Sequence, residues 1–88
     1  MKVEFLKVFS KDLDIVSSKS IKNSLSKTIE LMESANSLDQ IPNIKKLKGH
    51  KSAFRVRIGD YRLGFLFENY TISLARFVHR KDIYKLFP

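Results

Sequence analysis

The rhythm of apolar and polar positions changes twice along the chain, and each change marks a new kind of element. Lys2–Phe9 alternates loosely and is rich in Val and Phe, the period-two pattern of a strand. Ser10 offers a cap for a short helix over Lys11–Val16, and the cluster Ser17-Ser18-Lys19-Ser20 breaks the chain and restarts it. Ile21, Leu25, Thr28, Ile29 and Met32 then fall at helical spacing on one stripe, with Lys22, Lys27, Glu30 and Glu33 on the other side. This helix is expected to fade near Ala35-Asn36-Ser37. Residues 36–52, with Pro42, Gly49 and four lysines, read as a loop with room for one helical turn. From Ala53 the period returns to two. Phe54–Ile58, Tyr61–Glu68 and Thr71–Val78 read as strands, joined by the two-residue turns Gly59-Asp60 and Asn69-Tyr70. Apolar residues on both faces of the second and third of these mark them as central. A short helix is expected within His79–Phe87, ending at Pro88.

The order is therefore β-α-α-β-β-β(-α), an α+β chain whose helical hairpin packs on a small, mainly antiparallel sheet. Eighty-eight residues at 43% hydrophobic suffice for one domain, residues 1–88, with a modest core. The absence of cysteine excludes disulfides, thiolate metal sites and a cysteine nucleophile. Two histidines, His50 and His79, are too few for a histidine-based metal site without help from carboxylates, so neither metal nor cofactor is expected. Charges interrupt every apolar stretch of the first twenty residues, which leaves no signal-peptide core or membrane span; a cytoplasmic protein without membrane contact is expected.

Charge narrows the picture. In residues 1–41 six lysines balance six acids, whereas residues 42–88 hold eleven Lys and Arg against three acids, so the second half carries the whole net charge of +8. All five arginines lie there. One-sided charge of this kind points to a polyanion, nucleic acid before membrane, the alternative being a solvated basic face. The turn at Gly59-Asp60 makes the pattern specific. It places Ile58 opposite Tyr61, Arg57 opposite Arg62, Val56 opposite Leu63 and Arg55 opposite Gly64. Because side chains alternate, Arg55, Arg57, Arg62 and Gly64 share one face. Like charges directly opposite cost up to about 1 kcal/mol against a neutral pair. The arrangement makes sense if an anion sits between Arg57 and Arg62, since guanidinium forks match a phosphate bidentately. Gly64 would leave the floor beside Arg55 open to a nucleotide. Pairing of the arginines with Glu4, Glu68 or Asp82 is the structural alternative.

The carboxy-terminal run Arg76-Phe77-Val78-His79-Arg80-Lys81-Asp82-Ile83-Tyr84 adds further chemistry. An imidazole, with an ordinary pKa of about 6.5, suits proton transfer near neutrality, which makes His79 a candidate. In a helical tail Arg80 and Tyr84, four apart, share a face, a phosphate contact beside a ring on which a base can stack. Each alone also has a structural reading. His50, between Gly49 and Lys51, is expected to be a loop histidine.

These residues resemble a known family. Leu47-Lys48-Gly49, then Phe54-Arg55-Val56-Arg57-Ile58-Gly59-Asp60-Tyr61-Arg62, then His79-Arg80-Lys81-Asp82-Ile83-Tyr84 are similar to the RelE/ParE toxin superfamily, and the strand, helical hairpin and meander match its layout along nearly the whole chain. The resemblance implies a microbial-RNase-like fold and the toxin of a type II toxin–antitoxin system. Such a toxin is held by a cognate antitoxin in a hetero-oligomer and meets operator DNA only through that complex. RelE-like members cleave mRNA on the ribosome without metal, the 2′-hydroxyl attacking the adjacent phosphate. ParE-like members inhibit gyrase, and a catalytically weak nucleic-acid-binding relative is a third reading.

By position, Arg62 and Arg80 match phosphate-binding arginines, Tyr84 the base-stacking tyrosine, and Arg55 and Arg57 two basic strand positions. Lys45, Lys46, Lys48, Lys51 and Lys81 are expected beside Arg57 on the RNA backbone. RelE itself carries lysines where this chain has Arg55 and Arg57, one of them thought to be the general base. Arginine is a poor base, though it stabilises phosphorane charge well. The proton role is therefore expected to fall to His79, as histidines serve in some other RelE-like nucleases. A domain this small is not expected to bury every ring of Phe5, Phe9, Phe54, Phe65, Phe67, Phe77 and Phe87, and the spare apolar surface is expected to offer a docking site for an antitoxin helix or strand.

Overall fold

Alternating residues in the carboxy-terminal half build the sheet, and the helical half covers one of its faces. A computed structural model describes residues 1–88. Along the chain run β1 (Lys2–Phe5), α1 (Lys7–Ile15), α2 (Lys19–Ser34), a 3-10 turn at Leu38–Gln40, β2 (Ile44–Lys46), β3 (Ala53–Ile58), β4 (Tyr61–Glu68), β5 (Thr71–His79) and α3 (Ile83–Leu86). The five strands form one sheet in the order β1-β5-β4-β3-β2, parallel between β1 and β5 and antiparallel elsewhere.

The first strand, the first helix and the loop over residues 36–52 differ from the pattern-based expectation. The first strand ends at Phe5, and the Leu6 N–H makes the last bond to β5, to the Leu74 carbonyl at 3.0 Å. Val8 and Phe9 belong to α1, where Phe9 is buried and Val8 exposed; Ser10 lies inside that helix and not at its cap. Two apolar neighbours look alike in a strand and a helix when the run is short, which hid the boundary. Within the serine cluster that restarts the chain, Ser18 caps α2, its Oγ accepting the Ile21 N–H at 3.3 Å. The loop over residues 36–52 contains a strand, β2, too short at three residues to show a period.

Phe9, Leu25 and Met32 from the helices close over Val56, Leu63, Phe65, Ile72, Leu74 and Phe77 of the sheet, all at most 2% exposed. Each such side chain contributes about 1.5–3 kcal/mol by leaving water. A smaller cluster forms on the opposite face, where Ile83 and Phe87 pack with Ala53, Leu47, Leu66, Ala75 and Val78 and fasten α3 to the sheet.

Register along β4 and β5 decides which side chains reach which face. From the Asn69-Tyr70 turn the pairs run Glu68↔Thr71 to Phe65↔Leu74; a bulge between Gly64 and Phe65 then shifts the count, giving Gly64↔Arg76, Arg62↔Val78 and Tyr61↔His79. Without that extra residue Phe77 would stand opposite Arg62, and His79 would share the arginine face. With it, Phe77 and His79 turn toward the helices, because a one-residue slip exchanges the faces of a strand. Beyond Leu74 the outer edge of β5 has no strand beside it. There Asp12 of α1, 9% exposed, accepts the Phe77 N–H at 3.0 Å and binds Arg76 through Nε and Nη2 at 2.8 and 3.0 Å.

Candidate nucleic-acid interface

The β3–β4 hairpin has the register that its turn dictates: Ile58↔Tyr61, Arg57↔Arg62, Val56↔Leu63 and Arg55↔Gly64. Gly59 takes φ +58° at the first turn position while Asp60 stays at negative φ, the pattern of a type II′ hairpin turn. Arg55, Arg57 and Arg62 consequently lie together on the face turned away from α1 and α2. The protein's ion pairs are Lys2–Glu4, Arg76–Asp12 and, more loosely at 4.0 Å, Arg80–Asp60. None of the three hairpin arginines pairs with Glu4, Glu68 or Asp82. Arg62 instead donates from Nη1 to the carbonyls of Gly59 and Tyr61 at 3.0 and 2.9 Å. The Arg55 guanidinium lies 4.6 Å from the centre of the Tyr84 ring, a cation–π contact, and Arg57 points into solvent.

These groups line one open cleft of about 370 Å³ together with Asn43, Ile44 and Lys45. That volume lies at the small end of ligand-binding clefts. β2 supplies Ile44 and Lys45, Asn43 comes just before it, and the strand pairing sets Lys45 opposite Arg55. Lys45 was legible only as one of several loop lysines; the strand that aims it at the arginines was not. A second basic cleft, lined by Lys46, Leu47, Lys48, His50, Phe87 and Pro88, shares Lys45, Arg55 and Tyr84 with the first. Lys51 joins Lys46, Lys48, Gly49 and His50 around the tip of the same loop. The cationic surface is thus continuous from the hairpin turn to residue 51.

Two sequence-based expectations need correction. Gly64 does not leave an open floor for a nucleotide, because the Phe87 ring covers it; a Cβ at residue 64 would lie 2.5–2.9 Å from three atoms of that ring. Arg80 and Tyr84 do not share a helical face, since α3 begins only at Ile83. Arg80 sits in the preceding turn, where its N–H donates to the Asp60 carbonyl at 2.8 Å and its Nε lies 4.0 Å from the Asp60 carboxylate. Arg62 and Arg80 are accordingly anchored on the same hairpin turn. Lys81 follows Arg80 and is exposed.

His79 stands apart from this assembly. The β5 bulge turns it toward the helices, where its ring meets Tyr61 edge-on at 5.9 Å and its Nδ1 accepts the Lys81 N–H at 3.2 Å. It borders a groove with Asp12, Ile15, Tyr61 and Asp82, and lines neither basic cleft. Of the two histidines only His50 borders the cationic surface. The arginine cleft can grip a phosphodiester and stabilise charge that develops on it. Its groups able to exchange a proton are Lys45 and Tyr84, since guanidinium does not. No helix is long and apolar enough to cross a membrane.

A helical hairpin laid on a mixed five-stranded sheet whose open face carries unpaired arginines is the microbial-RNase-like architecture seen in solved RelE and YafQ toxins. No family model matches the chain. Toxin RelE3 of Methanocaldococcus jannaschii is 42% identical to it over 89 aligned residues that cover 100% of both proteins. On this similarity the chain belongs to the RelE family of type II toxins, within the RelE/ParE superfamily. The crystal structure of the RelB-RelE antitoxin-toxin complex from Methanococcus jannaschii superposes with a TM-score of 0.83 at 39% identity, covering 97% of this chain and 99% of that one. YafQ from E. coli shares the fold at 16% identity, with a TM-score of 0.75 over 94% of this chain and 97% of that one.

Proposed function

We propose that the protein is a ribosome-dependent endoribonuclease that cleaves mRNA without a metal. The observation that carries this reading is the triad Arg55, Arg57 and Arg62, three cations on one open face with no carboxylate to neutralise them. A protein under selection for stability alone would pair or separate them. A phosphodiester between Arg57 and Arg62 resolves the repulsion and receives two guanidinium forks. Arg80, held on the same turn, reaches the phosphate from the β5 side, and Tyr84 offers its face to a base. The lysines at 45, 46, 48, 51 and 81 hold the neighbouring backbone.

In the reaction the 2′-oxygen bonds to phosphorus, the bond to the 5′-oxygen breaks, and a cyclic 2′,3′-phosphate and a 5′-hydroxyl result. Arginines stabilise the phosphorane, in which the developing charge is greatest. One proton must leave the 2′-oxygen and one must reach the departing 5′-oxygen. We assign the second to the Lys45 ammonium, which lines the arginine cleft; the first passes to the solvent that fills it. His79, on the helix-facing side, is assigned neither transfer in this reading.

The cognate partner follows from the relative solved as a RelB-RelE complex. An antitoxin whose acidic segment crosses the arginine face would both neutralise the charge and shut the cleft. Apolar surface for its remaining contacts lies between α1 and α2, in a groove lined by Leu13, Leu25, Ile29 and Phe5, the last 56% exposed. Operator DNA would be met through that complex.

Purified toxin added to mRNA-programmed ribosomes, with cuts mapped by primer extension, tests the reading. Codon-phased cuts are expected from the native chain and from His79→Gln, and their loss from Arg62→Ala and Lys45→Met. Intact messages with gyrase-dependent DNA breaks would replace this reading with the gyrase-inhibiting one. Loss of cleavage in His79→Gln with the fold intact would return the proton role to His79.

A further inference from the structure

Tyr84 lines the arginine cleft, is 74% accessible, and belongs to a helix of four residues, Ile83–Leu86. So short a helix has no stability of its own. No side chain caps it, and beyond its backbone bonds it is held by Ile83 and Phe87, which are 1% and 7% exposed. Both are buried in one cluster with Ala53 and so point at the sheet, while Tyr84 between them lies against Arg55. Gly64, the residue opposite Arg55 in the hairpin, sits beneath the Phe87 ring. Gly64 has no unusual backbone angle, so its lack of a side chain serves space alone: any Cβ there would occupy the ring's seat.

We propose that Phe87, seated on Gly64, is the positioning residue that aims Tyr84, and that the pair Gly64–Phe87 sets where a stacked base lies relative to the phosphate held by the arginines. The inference rests on the nuclease reading above for its functional half, while its structural half stands alone. A glycine at position 64 and an aromatic ring at position 87 form one device, joined across the sheet. The ring fixes one end of a short lever whose other end is the Tyr84 face on Arg55. Because Phe87 also lines the second basic cleft, the same contact sets the boundary between the two halves of the cationic surface.

The test combines cleavage with a spectroscopic readout on the full chain. Tyr84→Ala is expected to slow ribosomal mRNA cleavage about tenfold, the size of one lost base stack. Phe87→Ala should fall by a similar factor, and the double variant no lower than Tyr84→Ala alone, because both remove one interaction. Phe87→Leu, which keeps an apolar anchor, should recover most of the rate. NMR of the same proteins should show contacts between the Tyr84 ring and the Arg55 side chain in the native chain and in Phe87→Leu. In Phe87→Ala those contacts should be lost, with Tyr61 and Tyr70 unchanged. A double variant about a hundredfold slower than the native chain, or an intact Tyr84–Arg55 contact in Phe87→Ala, would overturn the proposal. If the native chain cuts no message, the nuclease reading fails, and the NMR arm still decides whether Phe87 positions Tyr84.

Discussion

Arg62 and Arg76 lie on neighbouring strands of one sheet, yet the fold treats them in opposite ways. Arg76 meets Asp12 through two hydrogen bonds of 2.8 and 3.0 Å, and the same carboxylate closes the free edge of β5 by accepting the Phe77 N–H. Charge, donors and acceptors are matched within the protein. Arg62 has only carbonyl partners on its own turn, which fix its direction but leave its charge uncompensated, and another cation faces it across the hairpin. In the proposed function, what separates a structural arginine from a binding one is not burial or strand position. It is whether the fold supplies the anion or leaves that to a ligand.

The largest expected effect tests the binding side of the contrast. Arg62→Ala should lower ribosomal cleavage about 10²–10³-fold, the loss typical of one preorganised donor to a developing oxyanion. Its unfolding free energy should stay within about 1 kcal/mol of the native value, because only hydrogen bonds to its own turn are lost. Cleavage within threefold of native, or a collapse in stability, would show that Arg62 is a structural residue like Arg76.

Next in size is the structural side. Asp12→Ala strands a partly buried guanidinium and an edge N–H together, and should destabilise the fold by about 3 kcal/mol in urea titration. For a domain of this length that corresponds to a melting point lower by about 12–24 °C. A change below about 0.5 kcal/mol would mean that Asp12 and Arg76 are not the matched pair the geometry describes.

The two arginines were not equally legible in the sequence. A two-residue turn at Gly59-Asp60 determines a hairpin register by counting, so the shared face of Arg55, Arg57 and Arg62 followed without any long-range knowledge. Arg76 carried no such signal: its partner, Asp12, is 64 residues away. Counting also fails silently wherever a strand is interrupted. One bulged residue near Gly64 sends His79 to the helix side, and no residue type marked it in advance. β2 was missed because three residues carry no period, and with it the placement of Lys45 beside Arg55. The Phe87 ring on Gly64 is a packing contact between distant parts of the chain, which local pattern cannot show. The helical hairpin and the meander, by contrast, were each written in several turns or alternations of apolar residues.

A smaller effect extends the contrast along the cationic surface. Lys48→Ala and Lys51→Ala should each weaken binding of a short RNA by a similar factor whatever its sequence. Each should also reduce the slope of log affinity against log salt by about 0.7, as for one lost contact to a single strand. A sequence-dependent loss in either variant would place that lysine among the groups that read bases.

The smallest expected effect has the opposite sign, and it separates the two kinds of arginine most sharply. Removing a matched arginine costs stability, whereas removing one of two facing cations should add it. Arg57→Thr keeps a side chain suited to a strand and abolishes the repulsion with Arg62, so the variant should be more stable by about 0.5–1 kcal/mol. The gain should shrink at 1 M salt, where charges are screened within about 3 Å. A short RNA added in excess should then raise the melting point of the native chain more than that of the variant, because a ligand stabilises the state it binds. A variant less stable than native at low salt would mean that Arg57 makes a stabilising contact of its own. The hairpin cations would then be structural, and the contrast with Arg76 would fall.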